Sequence, residues 1–466
     1  MSDITSSATL KAADLSVIKT TSNKIRLPTM MAICIGLVIV QGSMISALQG
    51  IGIGGMGFIF AMITALILAQ FNAMSFSELS LMFPEEGTLA TYTQKAIGHF
   101  PAIVSVFAGY VVVAVLAIPV EMFLVDAMLS ELLPGVLPEK IVPLLILLVF
   151  TLTNLIGTDV FARIQNILAF VLVSALILTG IAAITGSSEP HPVLTGTTVD
   201  WGFGGVMDGS FIGLVGLALW MMVGVEFICP MIKEVKDPHK SIPRAMHLSL
   251  FMIFFIFTAF VYGASLYLNV DELVGAPLPF LDYANAVFGK GGLIIATVMG
   301  LAATCCTMNT VLAAVPRMLQ GMAEQGQAFP QLKAKNRFDA PWMGILMITG
   351  LTTIPYFGLG IDSLVTLVIA ATTSWLLAYI VAHINVIVLR KRMPNHPRPY
   401  RTPFYPLPQI LGIAAMLYVA LNNSPSPEMT EMVYSITGGI LLILCVIGAI
   451  WVKFFMKRGL FEPDGN

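Results

Sequence analysis

Leu217-Ala-Leu-Trp220-Met-Met-Val-Gly224-Val-Glu226-Phe-Ile-Cys-Pro230-Met-Ile-Lys233-Glu234-Val-Lys236-Asp237-Pro-His239-Lys240-Ser-Ile-Pro-Arg244 is the stretch that decides the fold. It is an apolar helix interrupted by Gly224, with Glu226 and Pro230 directly after, and it runs into a charged segment from Lys233 to Arg244. A carboxylate inside lipid is costly and normally faces a cavity or a partner. A glycine beside it lets the backbone open and offer its own amides and carbonyls to a ligand. Irregular backbone at that depth survives only where it lines a protein cavity. The stretch therefore predicts a membrane helix broken at mid-depth.

The composition agrees. The chain is 57% hydrophobic and 11% charged, with a mean hydropathy of +0.88, the signature of a multi-span membrane protein. The net charge of −2 says little about partners. Cys34, Cys229, Cys305, Cys306 and Cys445 fall in apolar stretches with neither metal-ligand nor disulfide spacing and read as packing residues. Residues 1–27 are polar at the start, without a signal-peptide core before Pro28, and read as a cytoplasmic tail.

A span needs ~20 apolar residues. Twelve candidates lie at about 28–50, 55–82, 101–133, 141–157, 161–185, 209–232, 244–268, 290–320, 342–359, 362–390, 406–421 and 431–455. The third, eighth and tenth are long and should tilt or run past the bilayer. With the N-terminus inside, 22 of the 24 basic residues face the cytoplasm; only Lys140 and Lys290 fall outside, and loop 186–208 has no Lys or Arg. The positive-inside rule then puts both termini in the cytoplasm, the C-terminal tail being 456–466.

The first span has Gly36, Gly42 and Gly50 around polar Gln41, Ser43 and Ser46, and the sixth has Gly224 and Glu226. They open two five-span halves, 28–185 and 209–390, with 406–455 left as two peripheral helices. Discontinuity at matching positions of two halves points to an inverted-repeat transporter with its site between them. The alternative is that the glycines allow close helix packing.

Trp220-Met-Met-Val-Gly224-Val225-Glu226, followed by Glu234-Val-Lys-Asp-Pro238-His-Lys-Ser-Ile-Pro243-Arg244, resembles the broken sixth helix of the amino acid–polyamine–organocation transporter superfamily. Asn309 with Arg317-Met-Leu-Gln-Gly-Met-Ala-Glu-Gln-Gly326 and Pro330 looks like the end of its eighth helix. Pro84-Glu85-Glu86-Gly87 with Tyr92 looks like its second-to-third loop, and Arg398-Pro-Tyr-Arg-Thr-Pro403 with Tyr405-Pro406 like the segment before helix eleven. The resemblance spans nearly the whole chain. It implies an all-α integral membrane fold of twelve helices, a five-plus-five inverted repeat plus two peripheral helices. It also implies a permease that moves amino acids or polyamines across the bacterial inner membrane. Two departures matter. The family's Gly-Ser/Thr-Gly in helix one is matched here by Gly42-Ser43-Met44, which weakens the case for capturing a substrate carboxylate on bare backbone. The position of a helix-five lysine found in some members is about Leu172, so no amine stands in for a cation there.

By family position Glu121, in Ile118-Pro119-Val120-Glu121, falls among cavity-lining residues. No Lys, Arg or His sits at the centre of a span, so neither Glu121 nor Glu226 has an internal cationic partner. Two such carboxylates in one low-dielectric cavity repel each other, a cost relieved by a positively charged substrate or a proton. A cationic amine or basic amino acid is thus expected, with Glu226 as the proton-coupling acid; a neutral amino acid is the alternative. Glu121 reads otherwise as an acid bonded to backbone freed by Pro119. Trp220 is a gate that offers its face to an ammonium, worth ~1–2 kcal/mol when desolvated, or else a packed Trp. Trp375 reads as packing, and Asp126 as vestibule or structural. The expected substrate-binding set is Gly42, Ser43, Met44, Ser46, Glu121, Trp220, Gly224 and Glu226. Thr304, Thr307 and Thr310 are weak sodium candidates, since membrane threonines usually bond their own backbone.

No nucleophile–base set, metal cluster or phosphate loop appears, so neither an enzyme nor a cofactor is expected. A channel would want charge rings or a filter repeat, and none is present. Nucleic acid is not an expected partner. The expected partners are the amino acid or amine substrate, a proton or exchanged solute, and membrane lipid.

Overall fold

The computed structural model describes residues 25–203, 211–360, 364–422 and 427–464, so most of the N-terminal tail and part of loop 186–208 lie outside the described residues. The described chain is helical: α1 Leu27–Val38, α2 Gln41–Gly54, α3 Met56–Met82, α4 Leu89–Ala96, α5 His99–Val106, α6 Val113–Leu132, α7 Ile141–Leu155, α8 Thr158–Thr185 and α9 Phe211–Trp220. There follow α10 Pro238–Ser265, α11 Val270–Gly275, α12 Pro279–Phe288, α13 Gly292–Glu324, α14 Trp342–Gly358, α15 Leu364–Arg392, α16 Leu407–Asn422 and α17 Pro427–Ile450. A π-helical turn, Phe107–Val112, joins α5 to α6.

Eight helices among the described residues are long and apolar enough to cross a membrane, or nine with the bent pair α1–α2. Three shorter apolar helices, α7, α14 and α16, fall where the fourth, ninth and eleventh spans are expected. Phe170, Phe255, Ile294 and Leu442 are exposed on the outside of the bundle, where side chains facing lipid lose nothing by being apolar.

Two of the elements are interrupted, and the interruptions set the site. Helices α1 and α2 meet at 63°. The break lies at Ile39 and Val40, both extended, one turn before the Gly42–Met44 position expected from sequence. The run Val38-Ile39-Val40 is β-branched, which disfavours helix. Ser43 then caps the new helix, its Oγ lying 2.8 Å from both the N and the O of Val40. The sixth span stops at Trp220, turns through Gly224 at φ +116° and resumes as a 3-10 helix over Val225–Glu234. Glycine is required at 224, because a Cβ there would lie 2.9 Å from Leu37 Cδ2 and 3.2 Å from the Trp375 ring at a φ that L side chains rarely adopt.

Side-chain amides stitch the bundle around the breaks. Gln165 of α8 donates to Ala32 O at 3.1 Å, Asn309 of α13 donates to Gln165 Oε1 at 2.9 Å, and Asn154 of α7 donates to Asn309 Oδ1 at 3.0 Å. Such bonds are the usual glue between helices in lipid. On the face that carries the basic loops, Arg390 grips Glu78 through two bonds of 2.8 and 2.7 Å, while Arg317 pairs with Glu234 at 3.3 Å and Lys233 with Glu86 at 3.7 Å. Ile25 and Val235 form a parallel β-bridge, with Ile25 N donating to Glu234 O at 3.1 Å and Lys236 N to Ile25 O at 2.9 Å. The C-terminal tail folds back on the same face: Phe100 N donates to Leu460 O, and Asp464 N to Gln94 O, each at 3.2 Å. All five cysteines are free.

Candidate functional site

The two breaks and α6 enclose a narrow cavity of about 40 Å³. Leu37, Val38 and Val40 form one wall at the first break, and Trp220, Val223 and Phe227 another at the sixth. Helix α6 contributes Val113, Ala114, Ala117, Ile118 and Glu121, α13 contributes Thr307 and Val311, and α15 contributes Trp375. A single water needs ~10–15 Å³ of such space, so the cavity as it stands holds a few waters, and a larger solute needs the walls to part.

Among the described residues Glu121 is the one carboxylate in this lining, and it is buried. Its partners among the described residues are two backbone amides and a hydroxyl, not a cation. Gln41 N donates to its Oε2 and Gly42 N to its Oε1, each at 3.1 Å, and Thr304 Oγ1 donates to Oε2 at 2.8 Å. Gln41 and Gly42 are the first residues of α2. The N-terminus of a helix exposes unpaired N–H groups and the positive end of its dipole, an anion site. The chain's own carboxylate fills that site.

Glu226 has a separate set of donors. Trp375 Nε1 donates to its Oε1 at 3.0 Å and Tyr379 OH to its Oε2 at 2.8 Å, while Gly224 N donates to the same Tyr379 oxygen at 2.9 Å. A single hydroxyl thus holds both the acid and the open turn of the sixth span. Glu226 is buried behind the cavity wall and does not line it. The picture of two bare carboxylates sharing one cavity therefore gives way to two acids, each with its own donors. Two of the donors to Glu121 are peptide N–H groups, which leave no mark in a sequence, whereas those to Glu226 are side chains of α15.

The remaining expected residues divide. Trp220 and Thr307 line the cavity; Ser43, Met44 and Ser46 do not. Ser43 is occupied as a cap and Met44 is fully buried, because the break lies a turn earlier than the glycine suggested. Gly42 stands beside the cavity: a Cβ built on it would lie 3.4 Å from Trp220 Nε1 and 3.6 Å from Glu121 Oε1. Thr307 Oγ1 donates to Gly36 O at 3.1 Å and Thr304 to Glu121. Asp126, near the other face, bonds Tyr356 OH and accepts from Lys140 N at 3.0 Å, a structural arrangement.

The sequence alone reads Trp375 as packing and does not mark Tyr379. Both lie on one face of α15 at i, i+4 spacing, and each has a polar tip that must find a partner when buried. That pairing, read opposite a buried acid, is the signal that would have found them. Trp220, Trp375 and Phe227 form an edge-to-face group, with centroids 6.4 Å apart for Trp220–Trp375 and 5.6 Å for Phe227–Trp375.

The chain is similar to several transporters. The γ-aminobutyric acid permease of Escherichia coli (strain K12) is 25% identical over 462 residues, covering 93% of this chain and 95% of that protein. The serine/threonine exchanger SteT of Bacillus subtilis (strain 168) is 23% identical, covering 78% and 81%. Among solved structures, a mutant of the manganese transporter of Eremococcus coleocola superposes with a TM-score of 0.61 at 13% identity, covering 92% and 94%, a likeness of fold alone. The amino acid permease family model matches residues 25–453. These matches, with the apolar helices and the paired breaks, make the chain a multi-pass membrane protein of the amino acid permease family, within the amino acid–polyamine–organocation superfamily.

Proposed function

We propose that this chain is a secondary transporter of amino acids, working by alternating access, whose substrate brings an ammonium group to Glu121. Residues 28–185 and 209–390 are then the two inverted repeats and 406–455 the peripheral pair. The protein sits in the bacterial inner membrane with both termini cytoplasmic. One observation carries the substrate reading: Glu121 occupies the amides at the start of α2 and faces the cavity. A substrate carboxylate finds that anion site filled, and a carboxylate already there attracts an amine.

Basic amino acids and cationic amines are therefore favoured over acidic ones. The E. coli relative is named for γ-aminobutyric acid, a zwitterion whose amine is balanced by a carboxylate, so the preference for a net cation rests on Glu121 alone. Glu226, a buried acid tied to the turn of the sixth span, is the group for proton coupling or exchange. Thr304 and Thr307 already donate to Glu121 and to a main-chain carbonyl, which favours coupling without sodium. Counterflow into proteoliposomes with labelled lysine, putrescine, alanine and glutamate tests the reading. Exchange of amine-rich solutes with exclusion of glutamate is expected; a preference for glutamate would sink it.

A further inference from the structure

Glu121 accounts for one end of a substrate and leaves the other unread. Trp220 Nε1 is buried and has no hydrogen-bond partner among the described residues; Trp220 is only 9% exposed and its ring lines the cavity. A buried indole N–H ordinarily finds an acceptor, and leaving a buried donor unmade is costly. Its position is specific. Trp220 Nε1 and Glu121 Oε1 flank the same point above Gly42, 3.4 and 3.6 Å from where a Cβ would sit. Trp375, the other indole of the lining, is already committed to Glu226. The rest of the wall is almost wholly aliphatic or aromatic. The head of the cavity thus holds one acceptor and one unused donor, side by side over a residue without a side chain.

We infer that Trp220 Nε1 is the receptor for the substrate's carboxylate, so that the amino acid binds ammonium-first on Glu121 with its carboxylate turned to the indole N–H. An ammonium alone satisfies Glu121 and leaves the indole unpaired. A carboxylate alone meets Glu121 as a like charge. Only a solute with both groups satisfies both ends, its ammonium lying between the two carboxylates. The binding polarity is then opposite to carboxylate capture by the amides of the first break, which Glu121 has taken. Gly42 is part of the device, because a methyl there fills the slot between the two groups. The inference rests on the Glu121 reading above, and names what reads the other end.

The test uses the full-length protein in proteoliposomes, with lysine and its decarboxylated form, cadaverine, as paired probes. In the wild type lysine should bind about ten- to a hundredfold tighter than cadaverine, the worth of a hydrogen bond to a charged group. W220F keeps a flat ring and removes the N–H, and it should shrink that ratio by the same factor. An unchanged ratio in W220F, or a wild type that binds cadaverine as tightly as lysine, would overturn the assignment; the second comparison needs no variant to fold. The two readings fail separately. If E121Q leaves the affinity for both probes as it was, the Glu121 reading falls. If E121Q weakens both and W220F leaves their ratio alone, only Trp220 is misassigned.

Discussion

Gly42 N lies 3.1 Å from Oε1 of Glu121, so the first peptide amides of one half-helix are capped by an acid from a helix 79 residues further along the chain. The cap comes from α6 and ties the start of α2 to that helix. It also places a carboxyl group where the two breaks meet.

The variant E121Q keeps the shape and removes the charge. Its amide nitrogen turns a donor towards amides that need an acceptor. A cationic substrate should lose ~2–5 kcal/mol of binding, roughly 30-fold to several thousandfold in affinity. Equilibrium binding to purified protein measures this, and normal affinity for lysine would make Glu121 a purely structural cap.

Replacing Tyr379 by Phe strips one bond from Glu226 and the acceptor from Gly224 N. Two buried polar groups lose a partner, at ~1–3 kcal/mol each. Uptake should slow by at least tenfold, with a lower melting temperature. E226Q should retain more stability than Y379F and lose uptake driven by an imposed pH gradient; gradient-driven uptake at the wild-type rate would remove Glu226 from coupling.

At position 224 even alanine is too large. The backbone conformation costs ~1–3 kcal/mol for a residue with a Cβ, and the methyl meets Leu37 and Trp375. Gly224→Ala should abolish transport while leaving membrane insertion intact, as read by surface expression against uptake. Wild-type uptake would show that the turn needs no glycine.

Asp464 gives a pH dependence outside the membrane. Burial raises its pKa, but the hydrogen bond from His99, 3.0 Å away, and the charge of Arg458 outweigh that and hold it below the usual carboxylate value. A depressed acid stabilises the docked tail at every pH above its ordinary value. That stabilisation is lost as pH falls through the lowered one. The pair is partly exposed, so the effect is small, ~0.2–1 kcal/mol. A spin label at Pro463→Cys should gain mobility on acidification, and Asp464→Asn should show that mobility at neutral pH. A label equally fixed in both would separate the tail from Asp464.

The sequence announced the sixth-span break through Gly224, Glu226 and Pro230, because glycine, acid and proline each conflict with an apolar helix. The first break was displaced by a turn, since it is made by the β-branched run Val38-Ile39-Val40 and not by the conspicuous glycine. Glu121 is legible as a buried acid at the cavity, but two of its three donors are peptide groups that every residue possesses. Trp375 and Tyr379 were hidden by their type, because aromatic residues in a membrane helix usually pack.

The β-bridge between Ile25 and Val235 joins main chain to main chain, just before the first span and just after the sixth. Side-chain substitution leaves those two bonds in place; only the loss of a donor, as in Ile25→Pro or Lys236→Pro, cuts one. The ends of both broken spans are therefore spliced into one lever. If transport proceeds by alternating access, opening at the basic face has either to swing both ends together or to part the splice, so that two hinged leaves work as a single latch.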